Sequence, residues 1–381
     1  MSKKVIANGN VIFYSDIVKT NVVIEGNKIS EITISIPHDA EVLDAEGMYV
    51  APGFIDIHTH GAGGYDTIMG SYEAINNFSK TLARYGVTSF LPTTMTAPVE
   101  AIQKAVAAVK EAMVKGTDGT KVVGVHLEGP FIGEKFKGAH PAQYILKPSI
   151  EAFKKLVNGH EEIVKNITIA PEVEGAFELS RYLSQKGINV SIGHTSADYD
   201  MVKTATLYGF SHTTHTFNGM KGFHHREPGV LGAVMDLDNI TAEVIADGIH
   251  SSFASIRVLL KCKGVDRVLL ITDSMMATGL TDGIYNLGTQ SVIVKEGQAR
   301  LTDGTLAGST LTLNKAVKNI VDHCKVSLTD AIRMASYNPA NKIGLRHKGL
   351  IIPGFDADIA ILNKEMDLIY TIVEGKIVYK K

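Results

Sequence analysis

Eight short apolar runs, separated by stretches with helical apolar spacing, restrict what this chain can fold into more than any other feature. They span residues 53–57, 88–92, 122–127, 167–170, 189–192, 210–215, 241–246 and 268–271. Between them, stretches such as 72–85 and 101–115 carry apolar residues at helical period, and this alternation predicts repeated βα units around a parallel sheet. Eight is the number of strands that closes a barrel. At or just beyond the carboxyl ends of the runs stand His58 and His60, Thr93 and Thr94, Glu128, Glu172, His194, His215, His250 and Asp273. A (β/α)8 barrel assembles its active site at that end.

Outside this region the pattern changes to period two. Residues 5–7 and 11–13 are expected as short strands separated by Asn8, Gly9 and Asn10, and 22–24 lead through the turn Glu25-Gly26-Asn27-Lys28 to Ile29. Residues 357–362 and 370–373, the turn Glu374-Gly375-Lys376 and residues 377–379 repeat the style. Turns of this kind between β-branched residues predict hairpins. The expected fold class is α/β: a (β/α)8 TIM barrel over 53–346 carrying the catalytic site, with a small β-sandwich domain built from both chain ends, 1–52 and 347–381.

The chain has 381 residues, 45% of them apolar and 20% charged, enough to bury a large core and far too apolar for disorder. A formal net charge of -2 gives no field that would gather a polyanion or an acidic membrane surface, so neither nucleic acid nor membrane is expected as a partner. No run approaches the apolar length of a membrane span, and Asn8, Gly9 and Asn10 interrupt the apolar stretch near the amino terminus, so no secretory h-region is expected. Cys262 and Cys324 lie far apart, without disulfide-framework or zinc-ribbon spacing. Cytoplasmic residence is the resulting expectation.

His58 and His60, two residues apart on a strand, share one face, so both imidazoles can converge on one cation. Glu128, His194, His215 and Asp273, each at the end of a different run, extend that set at barrel spacing. Histidine and carboxylate donors without thiolate suit zinc, iron(II), manganese or cobalt. A catalytic site of this kind keeps a position open for water and makes hydroxide available near pH 7. Asp273, in Leu270-Ile271-Thr272-Asp273-Ser274, is placed to accept a proton from that water and deliver it to a leaving group.

The run Pro52-Gly53-Phe54-Ile55-Asp56-Ile57-His58-Thr59-His60-Gly61 resembles the first-strand signature of the amidohydrolase superfamily, whose β-sandwich and metal-bearing barrel match the organisation above. Within it, six motifs resemble N-acetylglucosamine-6-phosphate deacetylases. They are His126-Leu127-Glu128-Gly129-Pro130-Phe131, Lys137-Gly138-Ala139-His140-Pro141, Gly193-His194-Thr195, His215-Thr216-Phe217-Asn218-Gly219-Met220, Asp247-Gly248-Ile249-His250 and Thr272-Asp273-Ser274. The resemblance implies a metal-dependent deacetylase that converts N-acetyl-D-glucosamine 6-phosphate to D-glucosamine 6-phosphate and acetate. An amino sugar phosphate would be its small-molecule partner and a homodimer its assembly. Glu128, His194 and His215 would bind the principal metal, Asp273 would be general base and acid, and His140 would polarise the acetamide carbonyl. Asn218, Gly219, Arg226 and His250 match positions that hold the sugar phosphate, some of them reaching in from a partner subunit. His58 and His60 match a first-strand metal pair, which with Asp273 would hold a second metal bridged by Glu128. The implied cofactor is a divalent metal, one or two per subunit: zinc, iron or manganese. Related two-metal amidohydrolases bridge their metals with a carboxylated lysine after the fourth strand, where this chain has Glu172. Two rivals use the same barrel: an amidohydrolase on another N-acyl amino sugar, such as the galactosamine 6-phosphate epimer, and a non-catalytic sugar-phosphate sensor.

Other conspicuous residues have plainer readings. His126 shares the face of Glu128 one layer deeper and reads as a hydrogen-bonded interior histidine. His212, an odd number of residues from His215, is expected to face the opposite way. His224 and His225 read either as solvated loop residues or as support near phosphate. For Arg226 a surface salt bridge is the plain reading, yet its planar fork beside Asn218-Gly219 favours phosphate. Gly61-Ala62-Gly63-Gly64 lacks the spacing of a nucleotide fingerprint and is expected as a flexible active-site loop. Gly304-Thr305-Leu306-Ala307-Gly308-Ser309-Thr310 lacks the Gly-Lys of a P-loop and reads as a turn near the barrel mouth. Asn338-Pro339-Ala340 reads as a helix end and turn.

Overall fold

Residues 3–381 are described by a computed structural model; Met1 and Ser2, at the start of the expected 1–52 segment, lie outside the described residues. The barrel strands, in order, are Phe54–Thr59, Val87–Thr94, Val125–Glu128, Val164–Ile169, Asn189–Ile192, Phe210–Thr213, Thr241–Ile245 and Val268–Ile271. Each pairs in parallel with the next. The end of the first meets the residues just beyond the eighth, where Thr59 and Ser274 form a parallel bridge and Asp273 N–H donates to His58 O at 2.9 Å. These strands are almost continuously buried, as expected for a parallel sheet covered by helices.

The covering helices follow from apolar spacing and capping. Val99–Lys115 buries Ala105, Val106, Ala108, Val109 and Ala112 on one face and stops at Gly116, whose φ is 79°. Tyr72–Ala83 starts at Ser71, whose hydroxyl accepts from Ala74 N–H. Its Phe78 meets Phe90 of the second strand edge-to-face at 5.1 Å; each such buried ring contributes about 2–3 kcal/mol.

Three local expectations in the barrel region are corrected. The run 122–127 is broken: Lys121–Val122 adds to the second strand, and the third begins at Val125. Gly124 permits the step, since a Cβ there would meet Ile163 O at 2.8 Å. Asn338-Pro339-Ala340 does not end a helix but lies within a separate one, Tyr337–Lys342, after a break at Ser336. Pro339 is tolerated in that first turn because its missing N–H would have no helical partner. Asn338 Nδ2 donates to Val265 O and Val268 O, both at 2.8 Å, anchoring the eighth strand. Residues 61–66 form an ordered two-stranded ladder, Gly61–Ala62 with Tyr65–Asp66, tied by Gly61, Gly63 and Gly64 N–H groups to Ser274, Thr278 and Met276 carbonyls.

Both chain ends build one mixed sheet. Its path runs Lys376–Lys380, Leu368–Val373, Ile359–Leu362, Tyr49–Pro52, Lys3–Ile12, Ile17–Glu25, Lys28–Thr33, with Glu41–Asp44 beside Lys3–Ile12. The last strand of the path folds back onto the segment before Ile359–Leu362: Lys28 bridges Asp356, and Ile29 N–H donates to Phe355 O at 2.9 Å. The sandwich is thus one sheet folded on its apolar face, around Ile6, Val11, Val22, Ile24, Val50, Ile359, Ile361 and Ile372. Lys3–Ile12 is a single strand with a register shift after Ile6, where Asn8 takes φ 58°, not two strands split at Asn8 to Asn10.

A three-stranded antiparallel sheet, Gly283–Leu287, Gln290–Lys295 and Gln298–Arg300, follows the eighth strand and has no counterpart among the expected elements. Val292 and Val294 alternate with exposed Ser291, Ile293 and Lys295, a period-two signal readable in the sequence. Its buried side packs Leu287, Val292, Val294 and Ala299 with Met95, Ala139 and Met275 at the barrel mouth.

Candidate functional site

Glu128, at the end of the third strand, is the centre around which the other side chains gather. Its Oε1 faces Nε2 of His194 at 3.1 Å and of His215 at 2.9 Å. Its Oε2 faces Nε2 of His60 at 3.0 Å, of His58 at 3.4 Å and of His140 at 3.6 Å. Asp273 Oδ1 lies 3.2 Å from His60 Nε2 and 3.5 Å from His58 Nε2. All seven side chains are buried. The donors form two groups, His58, His60, Glu128 and Asp273, and Glu128, His194 and His215, with Glu128 in both.

Hydrogen bonds away from the centre fix the imidazole tautomers. His194 Nδ1 donates to Phe136 O at 2.9 Å and His215 Nδ1 to Asn218 O at 3.2 Å, so the lone pairs of both Nε2 atoms point at Glu128. These two Nε2 atoms are 3.1 Å apart. Two lone pairs so placed repel each other unless a cation lies between them. Metal–nitrogen bonds of about 2.0–2.1 Å at a tetrahedral angle would set the nitrogens about 3.3 Å apart. His58 Nε2 is buried without a hydrogen-bond partner and faces the same centre. The donor set and these unpaired nitrogens fit a divalent cation.

His140 has the opposite tautomer. Its Nδ1 accepts from Thr96 N–H at 3.3 Å and from the Thr96 hydroxyl at 2.8 Å, leaving the proton on Nε2, which points at the centre. Burial, helped by the neighbouring His194, pushes its pKa down to about 4, so at neutral pH it is an uncharged N–H donor. Burial alone would raise the Glu128 carboxyl, but the surrounding imidazoles of His58, His140, His194 and His215 hold it well below its usual range.

The backbone turns that aim these side chains are left-handed. His194, His215 and Asp273 have φ of 47°, 29° and 49°. Non-glycine residues in this region cost about 1–3 kcal/mol each and persist where their surroundings hold them. Glu172 does so for His194: its carboxylate accepts from Ser196 N–H at 2.6 Å and from the Thr195 hydroxyl, pinning the loop after the fifth strand without joining the centre. Gly219, at φ 62°, leaves room for the ring, because a Cβ there would lie 3.0 Å from His194 Nδ1.

Above the centre opens a cavity of about 190 Å³ lined by His60, Glu128, His140, His194, His215 and Asp273. Asn218, Gly219 and His250 line it too, with Thr305, Leu306 and Gly308 of the 304–310 turn. His250 is oriented by Asp247, whose Oδ2 accepts from its Nδ1 at 2.7 Å. His58 lies beneath the floor, fully buried. Arg226 is not among the lining residues: it is exposed on a loop with His224 and His225, its Nη1 2.9 Å from His225 Nε2. His126 lies one layer below Glu128, with Nε2 2.9 Å from Thr168 Oγ1.

His212 contradicts the parity expectation. It faces the barrel interior like His215, because the left-handed turn at His215 reverses the alternation that would have put them on opposite faces. Its Nε2 donates to Glu243 Oε1 at 3.1 Å, and Glu243 Oε2 accepts from His58 Nδ1 at 2.9 Å. Glu243 is missing from the residues singled out by sequence, although a lone carboxylate inside the apolar run 241–246 is itself a signal. Thr96 carries no sequence signal.

This chain is similar to known proteins along most of its length. N-acetylglucosamine-6-phosphate deacetylase of Bacillus subtilis is 38% identical over 377 residues, covering 97% of this chain and 95% of that protein. The enzyme of the same name from Vibrio furnissii is 41% identical over 329 residues, 86% and 82% of the two chains. A crystal structure of N-acetylglucosamine-6-phosphate deacetylase from Thermotoga maritima superposes with a TM-score of 0.90 at 33% identity, over 99% of this chain and 100% of that one. The model of the amidohydrolase family matches residues 49–378, from the strand that leads into the barrel to the last strand of the sheet, and the chain belongs to that family.

Proposed function

We propose that this protein hydrolyses N-acetyl-D-glucosamine 6-phosphate to D-glucosamine 6-phosphate and acetate, with one or two divalent metal ions per subunit held by Glu128, His194 and His215 and by His58, His60, Glu128 and Asp273. The observation that carries this reading is the meeting, in one cavity, of a neutral Nε2–H donor on His140, a carboxylate on Asp273 and a buried cluster of metal-type donors. A divalent cation supplies hydroxide near neutral pH and polarises an acyl oxygen. His140 donates its Nε2–H to the acyl oxygen as negative charge develops there. Asp273 accepts the proton of the attacking water and passes it to the amine nitrogen as the C–N bond breaks, so acetate and a free amine leave. Asn218, Gly219 and His250 hold the sugar phosphate from the cavity wall. Arg226 lies outside the cavity of its own chain, and in this reading it serves the site of a second copy in a homodimer. The unpaired cysteines accord with a reducing, cytoplasmic setting.

The test is release of free amine from N-acetylglucosamine 6-phosphate by protein stripped with a chelator and reloaded with zinc, iron(II) or manganese. The unphosphorylated sugar and the galactosamine 6-phosphate epimer are run in parallel. Metal-dependent turnover that requires the phosphate supports the reading. Turnover confined to the epimer or to the free sugar reassigns the substrate, and no turnover by folded, metal-loaded protein leaves a sugar-phosphate sensor.

A further inference from the structure

Glu243 stands on the seventh barrel strand between Ala242 and Val244 and is fully buried. Three donors converge on its carboxylate. Oε2 accepts from His58 Nδ1 at 2.9 Å and from the backbone N–H of His215 at 3.1 Å, and Oε1 accepts from His212 Nε2 at 3.1 Å. His212 is held in turn by Thr241 Oγ1, 2.7 Å from its Nδ1. Among the described residues no lysine or arginine pairs with Glu243. Burial of a carboxylate is unfavourable without compensation; here it comes from these three donors and, at longer range without a direct contact, from the buried ammonium of Lys342.

Two features set it apart from a satisfied core carboxylate. The tautomers of His194 and His215 are set by backbone carbonyls, whereas His58 alone among these ligands donates Nδ1–H to a carboxylate, which leaves its unpartnered Nε2 lone pair aimed at Glu128 and Asp273. Such a carboxylate fixes the ring and raises the basicity of the ligating nitrogen. The same oxygen also holds the backbone of His215 at its left-handed turn, and His215 belongs to the other donor group. One side chain therefore grips a member of each group. Two divalent cations bring four positive charges into the barrel; Glu128 and Asp273 offset two of them, and Glu243 adds a third negative charge one imidazole away.

We propose that Glu243 is a positioning residue that couples the two cation positions, orienting His58 for one and the His215 turn for the other, with His212 bracing the carboxylate from behind. This rests on the two-metal form of the reading above and adds to it the group on which the second position depends. The test compares wild-type and Glu243→Gln proteins, stripped with a chelator and titrated with cobalt(II), by elemental analysis, equilibrium binding and visible spectrum. Wild type is expected to bind two ions per subunit. The variant is expected to bind the weaker of the two about 10- to 100-fold less tightly and to lose part of the cobalt spectrum, while the metal-free variant keeps the wild-type far-ultraviolet circular dichroism. A purely structural role would lower the melting temperature of the metal-free protein and leave both affinities and the spectrum unchanged; that result overturns the proposal alone. A wild-type protein that saturates at one ion or none overturns the two-metal reading and the proposal with it. If Glu243→Gln does not accumulate folded, His212→Phe removes the donor to Oε1 and is expected to weaken the same ion by a smaller factor; unchanged affinity there overturns the proposal.

Discussion

His140 and Asp273 flank the same cluster, but their surroundings give them opposite tasks. Two Thr96 donors on Nδ1 make His140 a hydrogen-bond donor at Nε2, and with its pKa pushed down to about 4 by burial and by His194 it stays uncharged across the neutral range. His140→Ala is expected to lower kcat by about 10²–10³-fold, the effect of one oxyanion donor, with little change in KM; steady-state kinetics that show only a raised KM would reassign it to binding. Asp273→Asn keeps the shape of the side chain and removes its proton chemistry. Its kcat is expected to fall by about 10²–10⁴-fold while elemental analysis still finds metal bound through Glu128, His194 and His215; near wild-type kcat would exclude Asp273 as the acid and base. Much of this set was legible as residue type and position, because histidines and carboxylates are costly to bury and recur here at the ends of successive apolar runs, although Glu172, in the same series, pins a loop and does not join the centre. Side-chain direction was less legible. Period two placed His126 beneath Glu128 correctly, and it misdirected His212, because a left-handed residue at a strand end reverses the alternation that parity assumes.

At the scale of elements, the alternation of apolar runs with helical spacing was enough to yield the barrel, since period two and period 3.6 are imposed by backbone geometry. Interruptions were not recoverable this way. In the sixth strand Phe210 pairs with Val190 and His212 with Ser191, so Ser211 is an extra residue that turns Phe210 outward toward Phe177 and His212 inward. Ser211 is held there by Asn189 and Thr241 and also by Lys342 of the helix Tyr337–Lys342, whose Nζ donates to Ser211 O at 2.8 Å and to Ser211 Oγ at 2.9 Å. Burial there lowers the Lys342 pKa from 10.5 to about 8. Because the folded value lies below the unfolded one, the unfolded chain holds more protons between pH 8 and 10.5, and stability rises with pH across that window. The contribution is complete above pH 10.5, is lost as pH falls through 8, and amounts to about 3 kcal/mol. Lys342→Met lacks this slope, so urea denaturation is expected to show it more destabilised relative to wild type at about pH 10 than at about pH 7.5. Equal differences at the two pH values would mean that Lys342 is not held in this buried contact.

Across the whole molecule, the folded sheet and the cation-type cluster occupy opposite ends of the barrel. Tyr49–Pro52 feeds the sheet directly into the start of the first strand, Thr371 Oγ1 donates to Ala83 O, and Ala360, Leu362 and Leu368 join the core shared with the barrel helices. That end is held by apolar burial and backbone pairing between distant parts of the chain, so its stability is independent of any ion. The mouth is different. There His194 and His215 turn lone pairs toward each other at 3.1 Å, and His194, His215 and Asp273 are held at positive φ; without a cation these features oppose folding. An ion that binds only the folded protein stabilises it by about 4 kcal/mol when present at about 1,000 times its dissociation constant. Chelation is therefore expected to lower the melting temperature by several degrees while the far-ultraviolet circular dichroism below the transition stays that of the folded protein. Zinc or manganese should restore the loss through the imidazole nitrogens, whereas magnesium, which favours six oxygen ligands, should not. Scanning calorimetry of the stripped and reloaded protein decides the matter: an unchanged melting temperature would mean that the cluster is stable as a hydrogen-bonded polar core, with the lone pairs of His194 and His215 relieved by protonation.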